Sequence, residues 1–242
     1  MTLTMHLYRR LMMKGRVFWL VLLASVPGVI IAVAGIDMSS DGLAEAFVAI
    51  MMSVGFTYAI AALILTVSTL RDERDAGTLP YIYMRPIPRP TIAASSLLAG
   101  TLAAATIGLG GWLSTVLAGL IHGAPMSLML PGAALLVSAA VGYAAIFVPV
   151  GYLFSRSVLI GLGYVVLVEL ALSGLVSGLA QLSIWRIAGS IYVDLVNASG
   201  IEVNIVLGPV APGAGGGALK LAVVVVLGAG LLTWALRRRD AL

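Results

Sequence analysis

The sequence predicts an all-α, polytopic membrane protein, and three observations carry that prediction. Hydrophobic residues make up 61% of the 242-residue chain and charged residues only 10%, against about 25% charged in an average soluble domain. The apolar residues fall in long unbroken runs rather than alternating at period two, which reads as helices and not as barrel strands. The basic residues flank those runs, where topology signals sit. The chain has room for six spans of about 20 residues each. It also predicts an N-terminal interfacial helix, a short cytoplasmic helix between spans two and three, and an outer-leaflet or re-entrant helix between spans five and six. That leaves no room for a soluble enzyme domain. The net charge of +4 sits at span flanks and does not point to nucleic acid. The absence of cysteine excludes disulfides and thiolate metal sites. The N-terminus lacks a small-residue cleavage site and reads as retained.

Residues 1–16 place Leu7, Tyr8, Leu11 and Met12 at helical spacing, with Arg9, Arg10, Lys14 and Arg16 between and after them. That is the pattern of a basic amphipathic helix in the headgroup layer. The first span is 17–36, with Trp19 as an interfacial anchor and a kink expected at Pro27-Gly28, because proline removes a backbone donor. An acidic loop with Asp37, Asp41 and Glu45 leads to the second span, 46–70. The third, 91–121, is about 46 Å long at the helical rise, more than a ~30 Å hydrocarbon core, so it tilts or projects. Its Gly100, Ala104, Gly108, Gly110 and Gly111 would let helices approach closely. The fourth span is 128–154.

The fifth is 158–182, carrying Gly174 and Gly178 as a small-residue packing pair. In 183–217, Ile184, Trp185, Ala188, Ile191, Tyr192, Leu195 and Val196 form an apolar stripe, while Arg186, Ser190 and Asp194 lie on another face. This is too polar to span and predicts a surface or re-entrant helix, followed by a flexible Gly/Pro linker over 209–217. The sixth span is 218–236.

A cytoplasmic N-terminus with six spans puts twelve of the 14 basic residues inside, leaving only Arg186 and Lys220 outside. The positive-inside rule then assigns both termini to the cytoplasm.

The longest polar interruption in the first half is 71–90, with seven charged residues and four prolines in twenty. Asp72-Glu73-Arg74-Asp75 continues the second span into water. Gly77 can break that helix, and Thr78 is a candidate N-cap for a new short helix opened by Leu79-Pro80. Tyr81, Tyr83 and Met84 would be its exposed side chains. Arg85-Pro86-Ile87-Pro88-Arg89-Pro90 cannot stay helical, since each residue before a proline is pushed to extended geometry. The product is a stiff helix on a proline-stiffened stalk, suited to transmit force.

Deep in the fifth span lies Glu169, near the midplane by residue count. An acidic group there costs about 2.5–3.5 kcal/mol on insertion scales. It reads either as a substrate, proton or gate contact, with Trp185 and Arg186 nearby, or as a structural carboxyl bonded to a Tyr or Ser of a neighbouring helix. No phosphate-cradling Gly-x-x-x-x-Gly-Lys loop is present, no His-Glu-x-x-His helix, and no serine with a base at matching depth.

Glu73-x-x-x-Gly77-Thr78-Leu79 after the second span, then Pro86-Ile87-Pro88-Arg89 before the third, resembles the permease subunit of type-2 ATP-binding cassette (ABC) exporters. So does the whole layout of amphipathic N-terminal helix, six spans, broken fifth span and short Arg-Arg-Asp tail. Pro88 stands where many members have serine. The resemblance implies that 71–90 holds the cytoplasmic coupling helix. Leu79, Tyr81 and Tyr83 would dock in a groove of a separate ABC ATPase subunit, Arg85 and Arg89 would meet its acidic rim or lipid phosphates, and Glu73 would be a charged contact or cap. It implies a second permease copy or a paralogue, and ATP and Mg bound by the partner ATPase, with no cofactor or ATPase site in this chain. A bacterial cytoplasmic membrane fits the composition, and the apolar cavity residues favour a hydrophobic or amphiphilic substrate. The alternative is a proton- or ion-coupled transporter or channel using Glu169, which would usually show an internal repeat that is absent here.

Overall fold

The computed structural model describes residues 3–13, 15–34, 40–78, 87–172, 181–200 and 212–239, and all regular structure among them is helical. In chain order these are α1 (Leu3–Met12), α2 (Arg16–Ala24), α3 (Val26–Ala34), α4 (Ser40–Ser53), α5 (Gly55–Asp75), α6 (Arg89–Ile121), α7 (Met126–Leu153), α8 (Ser157–Tyr164), a π-helical segment (Val165–Leu172), α9 (Ile184–Ala198) and α10 (Gly213–Arg239). Among the described residues five stretches are long and apolar enough to cross a membrane: Arg16–Val33, Glu45–Asp75, Arg89–Ile121, Met126–Leu153 and Gly213–Arg238. Of the predicted fifth span, 158–182, the described part gives a shorter apolar helix, Ser157–Glu169, and 173–180 lie outside the described residues.

The centre of the bundle is α6 packed on α7 and α5. Tyr58 of α5 pins the three together, sharing its hydroxyl proton between Ala104 O at 3.1 Å and Leu136 O at 3.0 Å. Small residues let these helices approach. Gly111 lies against the Ala24 carbonyl, Gly151 against Val67 and Gly228 against Ala145, with no room at any of them for a methyl group. The α6 helix has 33 residues, about 50 Å, and so exceeds a ~30 Å core by about 20 Å. Along α6 packs α1, with Leu7 and Leu11 buried and the Tyr8 hydroxyl 3.1 Å from Thr106 Oγ1. Arg10, Arg16, Arg71, Arg74 and Arg89 gather at the end of the bundle where α5 stops and α6 starts.

Several expected boundaries move. The first span is interrupted at Ser25, two residues before Pro27. Pro27 leaves the Leu23 carbonyl without its helical donor, and the Ser25 hydroxyl binds Val21 O at 2.9 Å. Residues 40–45, expected as loop, are already helical in α4. Arg89 and Pro90 also belong to a helix: Pro88 is extended at ψ 139° and caps α6, because proline is tolerated in a first turn. Gly213–Gly217, expected as linker, forms the first turns of α10, whose Ala214 N–H donates to Asp194 Oδ2 at 2.8 Å.

The largest correction concerns 158–182. The Tyr164 hydroxyl donates to Leu182 O at 2.9 Å, whereas eighteen residues of straight helix would separate them by about 27 Å. The chain has therefore returned to the level of Tyr164 by Leu182. From there α9 begins with Ile184 packed on Gly142, midway along α7, and ends with the Ser199 hydroxyl 3.4 Å from Ser127 O at the start of α7. Thus α8 with the π-helical segment occupies the basic half of the bundle, and α9 the other half. Ser190, expected on a different face of α9 from the apolar stripe, is buried and bonds back to Ile187 O at 2.8 Å.

Candidate functional site: the exit of α5 and the centre of the bundle

The expected site residues fall into two groups. The first is the exit of α5 into the polar arm. Gly77 adopts φ 67°, a left-handed conformation that favours glycine. Its N–H donates to Arg74 O at 3.0 Å and the Thr78 N–H donates to Glu73 O at 3.0 Å. These two bonds are the Schellman pattern that ends a helix and satisfies its last carbonyls. Thr78, expected as the cap of a following helix, turns its hydroxyl back to Glu73, contacting both its carbonyl at 3.1 Å and its carboxylate.

Glu73 itself is not a solvated contact. It is 2% exposed and ion-paired with Arg10 of α1. Arg10 also reaches the Thr78 hydroxyl at 3.4 Å, and His6 Nε2 lies 3.9 Å from the carboxylate. Arg16 approaches Asp72 at 3.7 Å. The N-terminal helix is therefore fastened to the last turn of α5. From the sequence, Arg10 belongs to a basic stripe and Glu73 is expected as a charged contact or cap at the coupling helix, with no partner named for either. The signal that links them is the match between one buried acid and one basic face, which needs the fold to be seen.

The far side of the exit is also tied. Arg74 Nη1 donates to Tyr152 O at 3.0 Å, and Arg71 Nη1 to the Ser157 hydroxyl at 3.4 Å. These contacts join α5 to the last turn of α7 and the first residue of α8, on either side of the 154–156 turn. Arg71 and Arg74 also pair with Asp75, at 3.3 and 3.4 Å. Beyond Thr78, the expected docking residues Leu79, Tyr81, Tyr83 and Arg85 lie outside the described residues. Pro88 is exposed and Arg89 half-buried where the chain enters α6.

The second group lies in the middle of the bundle. The Glu169 carboxylate accepts from the Ser183 hydroxyl at 2.5 Å, the Ile184 N–H at 3.0 Å, the Trp185 N–H at 3.4 Å and the Tyr164 hydroxyl at 3.2 Å. It sits on the N-terminus of α9, where unpaired N–H groups and the helix dipole favour an anion. The π-helical segment makes this possible. Five residues of α-helix would turn Tyr164 and Glu169 about 140° apart, whereas the i→i+5 bonding of a π-helix underwinds the turn and brings them toward one face. Trp185 follows directly and donates from its indole to Met52 O at 2.9 Å. Arg186 contributes its N–H to the Ser183 hydroxyl at 3.1 Å. The structure thus brings Glu169, Trp185 and the backbone of Arg186 together. Gly174 and Gly178 lie outside the described residues.

The profile of the family described as ABC-2 family transporter protein matches residues 12–176, more than half of the chain, and the chain belongs to that family. A comparison with curated proteins returned no match. The protein is a multi-pass membrane permease component of an ABC transporter, a kind of subunit that associates with an ABC ATPase and generally has no ATPase site of its own.

Proposed function

We propose that this chain is the translocation subunit of an ATP-driven exporter and that the 71–90 arm is where a separate ABC ATPase subunit pushes on it. The observation that supports this reading is the construction of α5. It runs unbroken from Gly55 in the middle of the bundle to Asp75, and its exit is stiffened on both sides, by Arg10 through Glu73 and by Arg71 and Arg74 through Ser157 and Tyr152. A load applied at the arm therefore reaches α1, α5 and the α7–α8 turn together.

On this reading Leu79, Tyr81 and Tyr83 dock on the ATPase, and Arg85 and Arg89 face its acidic rim or lipid phosphates. ATP and Mg are held by the partner. Two permeases, identical or paralogous, enclose the pathway within the lipid bilayer. The basic end of the bundle faces the cytoplasm, following the positive-inside rule, in a bacterial inner membrane. The cargo is hydrophobic or amphiphilic on this reading, since the residues expected to wall the pathway are mostly Ala, Gly, Val and Leu. The rival reading, in which Glu169 carries coupling ions, gains little from the geometry, because that carboxylate is engaged by four donors at a helix end.

The test uses the absence of native cysteine. A Tyr81→Cys chain carrying a photoactivatable crosslinker is expected to capture an ATP-binding subunit in membranes. Capture of lipid alone, with no nucleotide-binding protein at any position from 79 to 85, contradicts the proposal.

A further inference from the structure

The second group of site residues meets α5 at its inner end, where Trp185 of α9 contacts Met52 and Gly55. The α4 and α5 helices form one candidate membrane-crossing stretch, Glu45–Asp75, yet regular helix lapses at the single residue Val54, whose φ −69° and ψ −13° stay in the right-handed region while its carbonyl accepts from Tyr58 N–H at 2.9 Å. At the interruption Met52 O accepts from the Trp185 indole, at 2.9 Å. Next to it, Gly55 presents bare backbone to the indole ring, and a Cβ at that position would overlap it. Trp185 thus fills a notch that the missing side chain of Gly55 creates. Its ring also lies 6.0 Å from that of Tyr58, the residue that pins α5 to α6 and α7.

The wedge is held from behind. Trp185 is the second residue of α9, and that first turn is fixed by Glu169 through the Ile184 and Trp185 N–H groups and Ser183. Glu169 in turn stands on the π-helical segment continuing α8, whose first residue, Ser157, is bound by Arg71 near the outer end of α5. A closed path of contacts therefore runs along α5 from Arg71 to Gly55, across to Trp185, through Glu169, and back down α8 to Arg71.

We propose that the α4–α5 junction is a hinge, that Trp185 is the positioning residue that sets its angle, and that Glu169 holds the wedge in place. Movement of the arm then changes the tilt of α5 against α4, and the loop of contacts passes that movement to α9 in the opposite half of the membrane. Glu169 on this account touches neither cargo nor ions. Its carboxylate orients a helix end. The consequence for transport rests on the proposed function, whereas the hinge itself belongs to the isolated chain and is tested there.

The native chain has no cysteine, so spin labels at Glu45→Cys and Ala76→Cys, both exposed, report the hinge without background. They flank it by a helical path of about 46 Å, within reach of pulsed dipolar spectroscopy. In the purified, folded chain with native Trp185 the distance distribution is expected to be narrow. Trp185→Ala is expected to broaden and shift it, Trp185→Phe to do so less, since a smaller ring still occupies part of the notch while the bond to Met52 is lost, and Glu169→Gln to broaden it from a distance. Gly55→Ala is expected to shift the mean, and combining it with Trp185→Ala to reverse part of that shift. If Trp185→Ala does not fold, Trp185→Phe and Glu169→Gln carry the test. A distribution unchanged in these folded variants overturns the hinge. In the assembled transporter the variants that broaden it are expected to keep ATP hydrolysis while transport falls about fivefold to thirtyfold, the scale of coupling changes of about 1–2 kcal/mol. Undiminished transport in those variants overturns the positioning role. A chain that shows the hinge but captures no ATPase overturns the proposed function and leaves the hinge standing.

Discussion

Arg10 of the N-terminal helix and Glu73 of the last turn of α5 form an ion pair in which the carboxylate is buried and the Thr78 hydroxyl is a third member. An amphipathic helix that composition alone places on a membrane surface is thereby made part of the mechanical frame around the arm. The pair is one-sided in exposure, with Arg10 34% exposed and Glu73 2%. Its worth is therefore below that of a fully buried pair, while an unpartnered Glu73 would be costly.

Glu73→Gln and Arg10→Ala are each expected to destabilise the folded chain, and a double-mutant cycle is expected to return a coupling of about 1.5–3 kcal/mol, the range for charged hydrogen bonds. Thermal unfolding of the purified chain in detergent measures it. The exchanged pair, Arg10→Glu with Glu73→Arg, should recover part of the loss. Strict additivity of the two single variants would mean that the contact carries no energy.

Gly77 ends α5 at φ 67°. Gly77→Ala is expected to cost about 1–2 kcal/mol, the penalty of a side chain in the left-handed region, and Gly77→Asn less, because asparagine visits that region more readily. Amide exchange at Thr78, whose N–H closes the Schellman bond to Glu73 O, reads the effect locally. Equal protection in Gly77 and Gly77→Ala chains would show that the turn does not need glycine.

The helical class and five of the six expected long apolar stretches were legible in the sequence, because they follow from composition and from where charge interrupts apolar runs. The helix stop at Gly77 was legible for the same local reason. The partners of Glu73 and Glu169 were not. Arg10 meets Glu73 only through tertiary packing of α1. Tyr164 meets Glu169 only because the helix underwinds, which a 3.6-residue period cannot reveal. Nor does hydropathy distinguish a continuous span from two half-spans that meet in the middle, since Ser157–Leu172 is as apolar as its neighbours. The pinning of Tyr58 and the fit of Trp185 to Gly55 likewise depend on which faces the bundle brings together.

Tyr164 binds both Glu169 and Leu182 O, so its hydroxyl ties the π-helical segment to the approach to α9. Tyr164→Phe is expected to speed amide exchange at Ile184 and Trp185 about fivefold, corresponding to a lost hydrogen bond of about 1 kcal/mol. Glu169→Gln should do more, because the amide nitrogen would face donors. Unaltered exchange in α9 for both variants would show that the carboxylate does not organise that helix end.

The central claim is that the arm beyond Thr78 receives work from an ABC ATPase. Its most direct test is Leu79→Asp with Tyr83→Asp in the permease, assembled with its ATPase subunit in proteoliposomes, with ATP hydrolysis and substrate movement recorded in the same preparation. The account predicts a folded complex that still hydrolyses ATP while transport collapses. Transport at the unmodified rate in that double variant would contradict it.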